Sequence, residues 1–371
     1  MLIRVVLLSF FILLIFVSNA FVNPIPKREF DSEFRPRYGV SYSFEQANWY
    51  GLDPRESYIE LLDQFRFDWV RVPFFWDQTL LRSKGATDGQ VVDLNFDDLK
   101  FAIEEAAKRD VDVIIALGAK TPYFPEYHLP GEIEKQLEFG ATITLDHPVA
   151  GEILETSRKV VESLAPYDNI IAWQVENEPL IGNVNRWKID TSLIKAEVEV
   201  VRLADPAHRP IILNHAATGF YDRSWQTLLP ILKPGDIFAV NAFFKTKGTD
   251  LFNAKIFGRE VHILWPDHFV WPVYSWGFLS PDIESIKEKV EAHGNTLWIL
   301  EMQAEPYIKK LEEADDPLLP FRPGDIELAD NFMRSHQIES VGLWGAHFWQ
   351  YRAKNGDGSW LGAVKNLLES K

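Results

Sequence analysis

Residues 96–117 read FDDLKFAIEEAAKRDVDVIIAL. Leu99, Ile103 and Ala106 recur at helical spacing, which predicts an amphipathic helix over about 96–109. Val111 to Leu117 is then an apolar run of the kind found in a parallel strand covered on both faces. A helix feeding a doubly buried strand is one unit of a parallel α/β sheet.

The same alternation recurs along the rest of the chain. Strands are expected at 38–43 and 69–72, with a helix at about 54–65 between them. Downstream, a helix at 150–164 leads to a strand at 170–176, and a helix at 193–204 to a strand at 209–214. A short helix at 225–232 precedes a strand at 236–241. Ile283, Ile286 and Val290 mark a helix before a strand at 296–300. Ile326, Ala329 and Met333 mark another before a strand at 339–344, and a last short helix covers 361–368. Eight strand–helix units in roughly 330 residues fit a closed (β/α)8 barrel, a TIM barrel. An open doubly wound sheet would carry a Gly-rich turn after its first strand, and Gly39-Val40-Ser41 offers no GxGxxG. The fold class is therefore α/β, with one barrel domain over residues 37–371.

The chain has 371 residues, 54 acidic against 38 basic, a formal charge of −16, 46% apolar types and no Cys. That charge repels phosphate backbones and anionic headgroups, so neither nucleic acid nor a membrane surface is an expected partner. Without Cys there is no disulfide, thiol nucleophile or thiolate metal site. Residues 1–20 combine Arg4, an apolar run from Val5 to Val17 and the small residues Ser18 and Ala20, the pattern of a cleaved signal peptide. An uncleaved anchor is the alternative. Either way the barrel, after a lead-in over 21–36, is expected to be secreted, periplasmic or displayed at the cell surface.

Reactive groups of such barrels sit at the C-terminal ends of the strands. There the sequence places Arg71 (second strand), Glu176-Asn177-Glu178 (fourth), Asn214-His215 (fifth), Asn241 (sixth), Glu301 (seventh) and Trp344 to Trp349 (eighth). A Glu closing an apolar run such as Leu297 to Leu300 costs desolvation unless it is paired or used. Two facing carboxylates can split a glycosidic bond, one protonating the leaving oxygen and the other attacking the anomeric carbon. Arg71 would hold the attacking group ionised by lowering its pKa. No residues stand at metal-ligand spacing, and neither metal nor cofactor is expected.

Trp173-Gln174-Val175-Glu176-Asn177-Glu178-Pro179 resembles the fourth-strand signature of the clan A glycoside hydrolases, which include the family 5 cellulases and mannanases and the family 42 β-galactosidases. Trp298-Ile299-Leu300-Glu301 and Val70-Arg71-Val72-Pro73 support the resemblance. It implies a retaining O-glycosidase acting on a β-linked oligo- or polysaccharide. Glu178 would be the general acid/base, Glu301 the nucleophile, Asn177 a sugar-hydroxyl partner and Trp344 a sugar platform. Two stretches depart from family 5. Leu117-Gly118-Ala119 stands where a third-strand His is usual, and Asn241-Ala242-Phe243 lacks the sixth-strand Tyr, unless Tyr274 or another loop residue replaces it. A non-catalytic carbohydrate-binding relative and a transglycosylase are the alternatives.

The loops are rich in aromatic residues, including the stretch KTPYFPEY at 120–127 and Trp265, Phe269, Tyr274 and Trp276. Most should pack small cores of their own, with a few touching sugar, Trp344 and Trp76 first among them. His215 and Asn241 complete the expected substrate contacts.

Overall fold

A computed structural model describes residues 33–81, 93–182, 185–216, 222–247, 250–256, 259–264, 270–272, 281–308, 310–316 and 319–369. The expected signal segment and Trp265, Phe269, Tyr274 and Trp276 lie outside the described residues.

Eight strands form the barrel: β1 (Arg37–Ser41), β2 (Trp69–Pro73), β3 (Asp112–Leu117), β4 (Ile170–Val175), β5 (Ile211–Ala216), β6 (Ile237–Ala242), β7 (Thr296–Gln303) and β8 (Ser340–Trp344). Each pairs in parallel with the next, and β8 closes on β1 through Arg37↔Ser340 to Val40↔Leu343. The helices between them are started by local chemistry. Asp53, Asp190 and Asp282 accept backbone N–H bonds at the first turns of helices Pro54–Gln64, Thr191–Ala204 and Ile283–Ala292, each satisfying a donor that the helix leaves orphaned. The short helix expected at 225–232 is instead two 3-10 turns, Ser224–Thr227 and Leu229–Ile231; Pro230 sits inside the segment and removes a helical donor. The segment after β6 carries an antiparallel hairpin, Asp250–Ile256 with Arg259–Leu264.

Two cores result from strand alternation. Val70, Val72, Val113 and Ile115 face the helices within the main cluster, while Trp69, Ile114, Ala172, Ile212, Ala239, Trp298 and Leu300 fill the barrel interior. Trp69 and Trp298 stack there at 6.1 Å. Gly39 and Gly342 make the room, because a Cβ at either position would overlap the Trp69 indole. The indole N–H donates to Ser340 Oγ at 2.8 Å, so the largest interior side chain leaves no donor unsatisfied.

β7 runs three residues beyond the expected end at Leu300, and the reason bears on the site. Val240 pairs with Ile299, yet Asn241 pairs with Glu301, so one extra residue is accommodated on β7. With Leu300 already pointing inward, strict alternation would send Glu301 out to the helices. The bulge turns it in, the re-aiming that bulges provide beside active sites.

Candidate active site

Inward positions two residues above the interior core build the floor of the site. Trp69 is followed by Arg71, Ala172 by Gln174, Ile212 by Asn214 and Ala239 by Asn241, and all four polar side chains are buried. Arg71 Nη2 donates to Glu301 Oε1 at 2.7 Å, Nη1 to Gln174 Oε1 at 3.2 Å and Nε to Ser41 Oγ at 2.9 Å. The planar guanidinium thus has a partner on every nitrogen and fixes one face of Glu301.

Glu178 lies past the end of β4 on a sharply turned segment, with φ of +58° at Glu176 and +48° at Glu178. Such values are uncommon away from glycine and persist only where neighbours enforce them. Those neighbours are visible. Ala119 N and Lys120 N donate to the two Glu176 oxygens at 2.8 and 2.6 Å. Asn214 Oδ1 accepts Glu178 N at 2.9 Å. The buried Lys120 ammonium donates to Glu178 O at 2.9 Å and Ile181 O at 3.0 Å. Asn241 Nδ2 then donates to Glu178 Oε1 at 2.8 Å. One residue therefore spans both carboxylates, bonding Glu178 with its side chain and registering with Glu301 through its backbone.

Asn177 Oδ1 accepts from Gln174 Nε2 at 3.1 Å and from Asn214 Nδ2 at 2.9 Å. With its oxygen engaged, its amide nitrogen is the end left for a ligand oxygen.

The departure at Leu117-Gly118-Ala119 has a steric cause. Gly118 has φ +119°, and a Cβ there would meet the Glu176 carboxyl at 2.5 Å. Glu176 occupies the space beside this turn, and the carboxyl of Glu197, bonded by Ser157 Oγ at 2.6 Å, lies against it. Burial pushes Glu176 up to about 7, against its hydrogen bonds, and pushes Glu197 well above the usual carboxylate range.

Burial also pushes Glu301 up to about 7; Arg71 pulls it down, while the charges of Glu178 and Glu126 add to the rise. Arg71 pairs with Glu301 as expected, but the expected net depression of its pKa does not follow, because desolvation of a carboxyl on the barrel floor outweighs one cation. Glu305 is raised to about 7 by burial, against hydrogen bonds from Trp344 Nε1 at 2.9 Å and Tyr50 OH at 3.4 Å. Glu126, on the loop after β3, is raised by burial and by the nearby Glu178, and Lys120 opposes the rise from 3.3 Å.

Of the residues expected to bind substrate, Arg71, Asn177 and Asn241 meet around Glu178 and Glu301. Trp344 stands at the barrel mouth, but the Tyr123 ring is stacked on it at 4.3 Å. Trp76 is packed in the main core, 5% exposed, because the 3-10 turn Trp76–Gln78 folds it inward. His215 holds its own loop, with Nδ1 at 2.7 Å from Ala216 O and Nε2 at 3.0 Å from Ser224 Oγ. His347 is kept neutral, lowered to about 3 by burial, and its Nε2 is shared with Ser43. Trp187, Trp349 and Trp360 are buried in the main core. The residues to which no individual role was assigned from the sequence are Gln174, Asn214, Lys120, Glu126 and Tyr123. The first two were findable by counting in twos from the apolar interior positions.

The family profile described as Cellulase (glycosyl hydrolase family 5) matches residues 31–239, more than half of the chain. No curated protein sequence matches. Among solved structures, GH5_18 from Streptomyces cattleya in complex with GlcNAc is 14% identical, with a TM-score of 0.55, covering 91% of this chain and 81% of that one. The GH39 enzyme from Xanthomonas axonopodis pv. citri is 13% identical at 0.51, covering 86% and 60%. A β-galactosidase from the psychrophilic Marinomonas ef1 is 13% identical at 0.51, covering 90% and 62%. At these identities the likeness is one of fold.

Proposed function

Starting from the fact that this chain belongs to glycosyl hydrolase family 5, in clan A, we propose that it is an exported retaining glycosidase cleaving a β-linked oligo- or polysaccharide. Glu301 is the nucleophile and Glu178 the general acid/base. The observation that carries this reading is the bulge on β7, which turns Glu301 onto Arg71 and across from Glu178.

In the first step Glu301 Oε attacks the anomeric carbon as Glu178 gives its proton to the leaving oxygen. In the second, Glu178 takes a proton from water, which attacks the same carbon and releases Glu301. Arg71 stabilises the ionised nucleophile from below, and above a pH of about 7 that form dominates. Asn177 offers its N–H2 to a sugar hydroxyl, and Asn241 holds Glu178 in place. Export rests on residues 1–20, and amino-terminal sequencing of secreted protein should begin at Phe21 if the signal is cleaved.

Turnover of an aryl β-glycoside panel tests the reading. Glu178→Gln and Glu301→Gln should each lower the rate by about 10²–10⁴-fold. Unchanged turnover in both variants would refute it.

A further inference from the structure

The segment between β3 and the helix Ala150–Leu164 is laced to the loop that follows Glu178. Trp187 Nε1 donates to Glu138 O at 2.9 Å. Gly140 N donates to Asn185 O at 2.8 Å and Lys188 N to Ala141 O at 3.1 Å. A short parallel pair, Thr142–Ile143 with Lys188–Ile189, continues the seam. Gly140 takes φ +77° and Arg186 φ +57° on either side of it, the left-handed states of a tightly turned chain.

Beside this seam Gln136, Glu138, Phe139, Thr142 and His147 line a cavity of about 370 Å³, within the about 300–1,000 Å³ of small-ligand sites. Phe139 is 68% exposed, although the Arg186 guanidinium lies over its ring at 5.6 Å. A lone exposed ring would mean little. This one is surrounded by hydrogen-bonding groups that the protein leaves open. The Glu138 carboxylate and Thr142 Oγ1 bond nothing among the described residues. Gln136 Nε2 donates to Glu132 O at 3.0 Å, which leaves Oε1 as an acceptor. His147 Nδ1 accepts Val149 N at 3.4 Å, which leaves its proton on Nε2.

Acceptors, a hydroxyl and an N–H around one flat apolar face match a pyranose. Its slightly positive C–H groups meet the negative face of an aromatic ring, and its hydroxyls both give and take hydrogen bonds. The Glu138 carboxylate and the net charge of −16 disfavour an anionic ligand. Position supplies the occupant. Glu178 protonates the leaving oxygen, so the departing part of a polymer emerges beside the loop after β4. Ile189 N donates to Pro179 O at 2.9 Å, and Lys120 Nζ bonds both Glu178 O and Ile181 O, so this loop is tied back to the acid. Arg186 precedes Ile189 by three residues, a span of at most about 11 Å.

We propose that this cavity is a second carbohydrate site, where a pyranose of a neutral polysaccharide rests on Phe139 while another part of the same chain is cleaved between Glu178 and Glu301. The inference rests on the glycosidase reading and narrows its substrate to polymers long enough to span both places. Two contacts on one ligand strengthen its binding through effective concentration, so the cavity acts on polymer capture and not on bond cleavage.

The test compares wild type, Phe139→Ala, Phe139→Trp and Arg186→Ala on hydroxyethyl cellulose, on galactomannan and on aryl β-glycosides too short to span both places. Affinity electrophoresis through gels holding the same two polysaccharides reads binding apart from turnover. Losing a stacking platform weakens binding by about 3- to 10-fold. Phe139→Ala should raise KM by that factor on the polysaccharide that wild type cleaves, keep kcat, and lose gel retardation in step. Phe139→Trp, flat and larger, should keep both at wild type. Arg186→Ala should act in the direction of Phe139→Ala, because the ring loses the group that holds it. Aryl-glycoside kinetics should match wild type in all three variants. Wild-type KM and retardation in Phe139→Ala overturn the inference, as does an equal KM rise on aryl glycosides or a wild type active on aryl glycosides alone, while turnover itself upholds the glycosidase reading. A wild type retarded through Phe139 but without turnover on any substrate refutes the glycosidase reading and leaves the cavity a sugar site. A wild type neither retarded nor active removes both.

Discussion

Replacing Arg71 with Met isolates what the barrel-floor cation does for Glu301. Arg71 is fully buried and its Nη2 lies 2.7 Å from Glu301 Oε1. An opposite charge at that range lowers a carboxyl pKa by about 1–3 pH units. Burial already pushes Glu301 up to about 7 with Arg71 in place, so the acid limb of kcat/KM should lie near 7 in the wild type. Without Arg71 it should rise by the same about 1–3 pH units. At pH 7 the ionised fraction would fall from about one half to between about 10% and 0.1%, a loss of about 5- to 500-fold in kcat/KM. The deficit should narrow by nearly tenfold for each pH unit gained, until the new limb is passed. Because the orphaned Glu301 can take up a proton, the stability loss should stay below the about 3–5 kcal/mol of a trapped buried charge. The assay is kcat/KM of variant against wild type from about pH 6 to 9.5, with thermal melts to establish folding. In a folded variant a deficit that is the same at every pH would mean that Arg71 acts on something other than the ionisation of Glu301.

Two further outcomes follow from the buried carboxyls and the glycine beside them. Glu301, Glu305 and Glu176 are each raised to about 7, so the folded protein holds protons that the unfolded chain releases near the ordinary carboxylate pKa of about 4.3. The stability they contribute is whole below that value and lost as pH rises through about 7. Tm should fall between about pH 5.5 and 8, and Glu305→Gln should flatten the fall; a Tm that rises over this range would contradict the burial argument. Gly118→Ala places a Cβ 2.5 Å from the Glu176 carboxyl at φ +119°, so it should destabilise by at least about 1–3 kcal/mol. It should also lower kcat more than it raises KM, because Glu176 and Glu178 share one turn. Wild-type melting and kcat in this variant would mean that the turn does not position Glu178.

Much of the barrel was legible because each strand is buried on both faces and each helix on one, so hydrophobic period and element length agree at helices such as Pro54–Gln64 and Asp97–Ala107 and at the strands beside them. Helix Ala150–Leu164 begins and ends where its apolar spacing says. Glu178 and Glu301 were legible as carboxylates at strand ends. The inward turn of Glu301 was not, because a bulge is a property of pairing between β6 and β7, which no local pattern on β7 records. His215 was favoured over Asn214 for its chemistry, whereas parity with Ile212 decides which of the two faces the barrel axis. The net pKa of Glu301 depends on how much water the barrel excludes, a sum over the whole fold. Tyr123 and Glu126 belong to a strap whose path is set by the Lys120–Tyr127 bridge and the Trp344 stack, contacts more than 200 residues apart in the second case.

In the proposed mechanism Glu301 bonds covalently to the sugar while Glu178 moves the protons. Incubation with an activated 2-deoxy-2-fluoro glycoside, followed by proteolysis and mass spectrometry, tests it directly. A stoichiometric glycosyl adduct on the peptide carrying Glu301 is the predicted result. An adduct on Glu305 or Glu178, or steady turnover yielding product of inverted anomeric configuration with no adduct, would contradict it.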